Sequence, residues 1–152
     1  MFLSACWFRY IYNNGILHYL IIVYWFFFMN AMMLFNNQHT FNPPYVVDNN
    51  TWNMKDSGLV GSSFIQMPYL LKYFYMGVEY HHIHHMNAKI PGYNLQNYHD
   101  EVVSKSNMFD NVVKLSMTDC YNNLWLVLYD EEKKRYITFA EADEEIRKEK
   151  NM

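Results

Sequence analysis

Twenty consecutive positions from Ile16 to Phe35, ILHYLIIVYWFFFMNAMMLF, carry no charge, and only His18 and Asn30 among them are strongly polar. A helix needs roughly 20 such residues to cross a bilayer core of ~30 Å. Backbone in lipid must bond to itself, which a helix does. The run therefore predicts one transmembrane helix over about 15–36. A secretory signal would start with more basic residues than Arg9 alone and have a shorter apolar run with a small-residue cleavage site. Here the run ends in Asn36-Asn37-Gln38. Twenty residues is also long for the buried helix of a soluble protein. Residues 1–14 are apolar but too short to span, and read as the remnant of a preceding membrane segment.

Asn42-Pro43-Pro44 breaks the helix and opens a loop. The small-residue stretch Gly58–Phe64 predicts helix. Met67–Tyr75 (MPYLLKYFY) is a short apolar run with one lysine and reads as interfacial. Asn94–Ser106 predicts a helix with Leu95, Tyr98 and Val102 on one side. Thr118 or Ser116 is placed to cap a helix running through Trp125 to Tyr129. A charged turn follows at Asp130–Lys134, a short strand at 136–139, and a charged, solvated helix over Glu141–Lys150. The fold class is thus an all-α membrane protein, one spanning helix followed by interfacial and cytosolic helices. Residues 37–140 form the cytosolic region and 141–152 a charged tail.

Charge sharpens this division. Up to Met54 the only charged residues are Arg9 and Asp48, whereas Asp130–Lys150 holds eight acids and six bases. A membrane-anchored chain with a cytosolic tail sorts its charges this way. The net charge of −3 and an aromatic content of 19% exclude a basic nucleic-acid binder and a disordered tail. Two distant cysteines, Cys6 and Cys120, exclude a cysteine-type zinc site and argue against a disulfide scaffold.

Candidate chemistry sits in the histidines. Five of the seven lie within 19 residues, and His81, His82, His84 and His85 fall in the string EYHHIHHM. On a helix His81, His84 and His85 stand at i, i+3 and i+4 and share a face, while His82 points elsewhere. Three converging imidazoles are a ready shell for a divalent metal, and imidazole suits zinc, copper, iron and nickel. The zinc-protease string H-E-x-x-H is absent. Glu79, two residues before the cluster, is placed either to orient a ring or to stand as an exposed charge.

The stretch Glu79–Gln96, EYHHIHHMNAKIPGYNLQ, resembles the third histidine box and following segment of membrane fatty acid desaturases, nearest the acyl-lipid, Δ12-type branch. There H-x-x-H-H precedes an I-P-x-Y-x-L string. Phe35-Asn36-Asn37-Gln38-His39-Thr40 is similar to that branch's Q-H-x segment. Gly61-Ser62-Ser63-Phe64, Pro68, and Leu124–Glu132 followed by Arg135 fall in matching order, so the resemblance runs from about Gly15 to about Phe139. It implies a non-haem diiron centre that uses O2 and two electrons to introduce a double bond into an acyl chain. His81, His84 and His85 would then be iron ligands and His39 a further ligand or a residue near the site. His82 fills a variable position, and His99 reads as a helix-surface residue.

Departures from the family qualify what the resemblance implies. The earlier H-x-x-x-H and H-x-x-H-H boxes are missing, and His18 stands alone before His39. Gly77 occupies a position where many relatives have Asn or Asp. With half of the ligand set present, the chain resembles the C-terminal half of a desaturase and is expected to be inactive alone. The alternatives are a non-catalytic truncated remnant and a related lipid hydroxylase. The expected partners are a membrane lipid or acyl substrate, an electron donor such as cytochrome b5 or ferredoxin, and a separate N-terminal half, with no nucleic acid. The expected location is the endoplasmic reticulum or another host endomembrane, with the histidine box in the cytosol.

Overall fold

A computed structural model describes residues 2–151 of the chain. These are predominantly helical and divide into two units, residues 1–35 and 36–152.

The first unit holds helix α1 (Phe2–Asn13) and most of helix α2 (Leu17–His39). Gly15, at φ 65°, makes the left-handed turn between them, and Ile16 N–H reaches back to the Ile11 carbonyl at 3.0 Å. Along α2, Tyr24, Trp25, Phe26, Phe27 and Phe28 are all exposed. Asn30 returns its amide to the Phe26 carbonyl at 2.8 Å, so this polar side chain is partly satisfied within the helix itself. At 1.5 Å per residue α2 is about 35 Å long, enough to cross a bilayer. Its bare apolar surface is what a lipid-facing helix presents.

Among the described residues, six further α-helices and four three-residue strands make the second unit. They are α3 (Met54–Leu59), β1 (Ser63–Ile65), α4 (Tyr69–Tyr75), α5 (His81–Met86), α6 (Gly92–Lys105), β2 (Val113–Leu115), α7 (Met117–Asn123), β3 (Leu128–Asp130), β4 (Arg135–Ile137) and α8 (Phe139–Lys150), together with the last turn of α2. A 3₁₀ turn, Val78–Tyr80, leads into α5. Strands β1 and β2 pair in parallel, Phe64 opposite Lys114, and join the chain before the histidine cluster to the chain after it. The core is Leu59, Tyr80, Ile83, Leu95, Phe109 and Val112. The hairpin β3–β4 is antiparallel, and Asp130 Oδ1 accepts the Glu132 and Lys133 N–H groups in its turn. Asn42 extends that hairpin, donating to the Tyr136 carbonyl at 3.0 Å and accepting its N–H at 2.8 Å.

Three local expectations are corrected. Gly58–Phe64 is not a helix: α3 ends at Leu59 and β1 begins at Ser63, because Phe64 and Ile65 gain partners from β2. The helix expected through Tyr129 stops at Asn123. Ser116 does cap its start, in a capping box with Asp119, but Leu128–Asp130 pairs with β4 instead of continuing the helix. The short strand expected at 136–139 lies at 135–137, and Phe139 already belongs to α8.

Candidate metal centre

Two pieces of chain bring the histidines together. The first is the last turn of α2. Gln38 donates its side-chain amide to the Val78 carbonyl at 2.8 Å, and Ser63 Oγ donates to the Asn37 carbonyl at 2.9 Å. Both bonds fix the turn that carries His39. The second is α5, whose six residues are too few to hold a helix unaided in water. Tertiary packing therefore sets its position. Helix α3 lies against it so closely that a Cβ at Gly58 would meet Met86 Cγ at 3.1 Å and both the His82 carbonyl and His85 Cβ at 3.3 Å.

Nitrogen atoms of three rings meet as a result. His81 Nε2 lies 3.0 Å from His39 Nε2 and 3.0 Å from His85 Nε2, with all three donors within 4.8 Å of one another. Two imidazole nitrogens held at right angles about one ion at about 2.1 Å stand about 3.0 Å apart, so the spacing fits a shared metal. His39 Nδ1 faces the Gly61 carbonyl at 3.3 Å. A proton on Nδ1 satisfies that carbonyl and leaves Nε2 as the free ligand atom, the usual way a protein selects the tautomer of a metal ligand. His81 has its pKa pushed down to about 3, first by burial and then by the crowding of His85, His39 and His84. Burial, with His39 and His84, also lowers His85. Neutral rings are the metal-binding form. The donor set therefore fits a divalent transition ion.

His84 lies outside the three-ring group. It is exposed, its ring stacked on that of His81 at 5.7 Å, and it lines a cavity of about 350 Å³ with His81, Gln38, Tyr75, Tyr80 and Leu95. Glu79 is buried, not an exposed charge, and its Oε2 has no hydrogen-bond partner. His99 is not a plain surface residue. It is half-buried, and its Nδ1 lies 3.3 Å from His82 Nε2. No sequence periodicity announces that pair, since the rings belong to different helices.

Over 109 residues the chain is 32% identical to a fatty acid desaturase of Bacillus subtilis (strain 168), a match covering 72% of this chain and 30% of the relative. This likeness supports the fatty acid desaturase family. The chain spans about a third of the length of that curated relative. No family model matches, and no solved structure matches. A desaturase-like reading joins the two main observations: an apolar helix long enough to cross a membrane, and a histidine cluster whose rings converge at its last residue.

Proposed function

We propose that this chain is the third-histidine-box portion of an acyl-lipid, Δ12-like membrane desaturase, and that His39, His81, His84 and His85 hold iron in a non-haem diiron centre. The observation that carries the reading is the meeting of three Nε2 atoms at 3.0 Å steps within a chain 32% identical to a named fatty acid desaturase. Bound iron, with O2 and two electrons, supplies the oxidising power that removing two hydrogens from an unactivated methylene demands and no side chain has. The residues of the chain do the rest. The Gly61 carbonyl holds the His39 ring in its ligand tautomer. Burial keeps His81 and His85 neutral. His84, turned toward the cavity beside His81, takes the second metal position. The cavity gives an acyl chain its approach to the rings.

Four histidines are too few for two irons. The remaining ligands lie on polypeptide outside these 152 residues that carries the other two boxes, and this portion by itself is inactive. Electrons arrive from a donor such as cytochrome b5 or ferredoxin, and the box faces the cytosol of an endoplasmic-reticulum-type membrane.

The test is expression of the chain in a host of known lipid composition, with and without a companion bearing H-x-x-x-H and H-x-x-H-H boxes, followed by analysis of acyl chains. A new double bond only in the paired strain, lost in His81→Ala, is expected. Inserted oxygen in place of a double bond would mark a hydroxylase. New unsaturation from the lone chain would overturn the divided-ligand reading.

A further inference from the structure

A second histidine pair stands on the far side of the metal-binding helix. His82 is fully buried, and its Nε2 lies 3.3 Å from Nδ1 of His99 on α6. The His99 ring is sandwiched between Phe64 of β1 (centroids 5.1 Å, 18° between planes) and Phe109 (5.3 Å, 8°). Phe109 also meets the His82 ring edge-on at 4.8 Å. His99 is thus clamped by two phenyl rings from separate parts of the chain, with one nitrogen presented to α5.

We propose that His99 is a positioning residue for the metal centre: its hydrogen bond to His82 sets the rotation of α5 about its axis and so aims His81 and His85 at His39. The inference rests on the metal reading above. A six-residue helix has no length to define its own orientation, and apolar packing is non-directional. A hydrogen bond inside an aromatic box is directional, and leaving it unmade is costly. His82 and His85 are three residues apart and His82 and His81 adjacent, so any turn of the helix that breaks the His82 bond also displaces both ligand rings.

The pair also has a defined sense. His82 Nδ1 is buried without a partner. A bare acceptor there is tolerated better than a bare N–H, which places the His82 proton on Nε2 and makes it the donor. His99 Nδ1 is then the acceptor.

That assignment gives a discriminating test on the full chain in detergent, loaded with Co2+ as a spectroscopic stand-in for the native ion. His99→Phe keeps an aromatic ring in the sandwich but removes the acceptor. His99→Asn restores an acceptor near the Nδ1 position. Expected is a roughly 10–100-fold loss of Co2+ affinity in His99→Phe, the range seen when a partner behind a ligand is removed, with an altered Co2+ absorption spectrum. The unpaired His82 N–H should lower the metal-free thermal midpoint of His99→Phe modestly, and His99→Asn should recover most of the affinity and the spectrum. Wild-type affinity in His99→Phe would overturn the inference alone. So would equal losses in both variants that follow a lowered metal-free midpoint, because that pattern marks a core-packing role. Failure of the wild-type chain to bind Co2+, or binding that survives His81→Ala, would overturn the metal reading and this inference with it.

Discussion

The four candidate ligands are not equivalent at the residue scale. His39, His81 and His85 share one point, whereas His84 stands off it against the cavity. With one equivalent of Co2+ or Zn2+, replacing any of the three by Ala should cost at least the roughly 10–100-fold that an outer partner is worth. His84→Ala should cost less, and isothermal titration reads both. Gly77 gives a second residue-scale prediction. It sits at φ 90°, and a Cβ there would meet the Gly92 carbonyl oxygen at 2.5 Å. Gly77→Asn should lower stability by about 1–3 kcal/mol in denaturant titration. The H-x-x-H-H spacing was readable from the sequence because i, i+3, i+4 is a local rule. His39 was readable only through resemblance to a family, since it lies 42 residues before His81. The His82–His99 pair was not readable, because an aromatic sandwich built from Phe64 and Phe109 leaves no local pattern.

Among the elements, what sequence reading recovered and what it missed follow from where the stabilising contacts lie. Helix α2 announces itself by an unbroken apolar run and α8 by its charged, solvated face, whereas the Thr138–Glu141 capping box that starts α8 emerges only in the structure, Thr138 having been read as strand. Strand β1 was misread as helix because its pairing partner β2 lies about fifty residues downstream, and β3 was absorbed into α7 because its partner β4 lies beyond a turn. The caps are local and independent of the histidines. Thr138→Ala should therefore lower the stability of the second unit by about 1 kcal/mol while Co2+ affinity stays at the wild-type value. Gly58→Val is the contrasting case. Its side chain would press on the His82 carbonyl and His85 Cβ, so Co2+ affinity should fall before secondary structure does, as measured by circular dichroism alongside metal titration.

For the whole molecule, acid should act on the second unit and spare the first. The first 35 residues carry Arg9 as their only formal charge, while the second unit holds the shifted histidines. Burial, the largest cause in each case, pushes His81 and His82 down to about 3 and lowers His85 and His99. In the unfolded chain these rings take up protons near their ordinary 6.5, and in the folded chain they refuse them until the pH is far lower. Between those limits the unfolded state binds more protons, so stability falls as pH falls from about 6.5 toward about 3 and is fully restored above 6.5. A metal held by His39, His81 and His85 requires neutral rings and competes with those protons. Adding Co2+ should therefore move the acid midpoint downward, in proportion to RT ln(1 + [L]/Kd). Near-ultraviolet circular dichroism, which follows tertiary packing, should show a cooperative loss in this window while far-ultraviolet signal from α2 persists. The Co2+ shift should vanish in His81→Ala. A midpoint that ignores the ion in the wild-type chain would mean that the three rings do not act together on a metal, and the proposed chemistry would lose its footing.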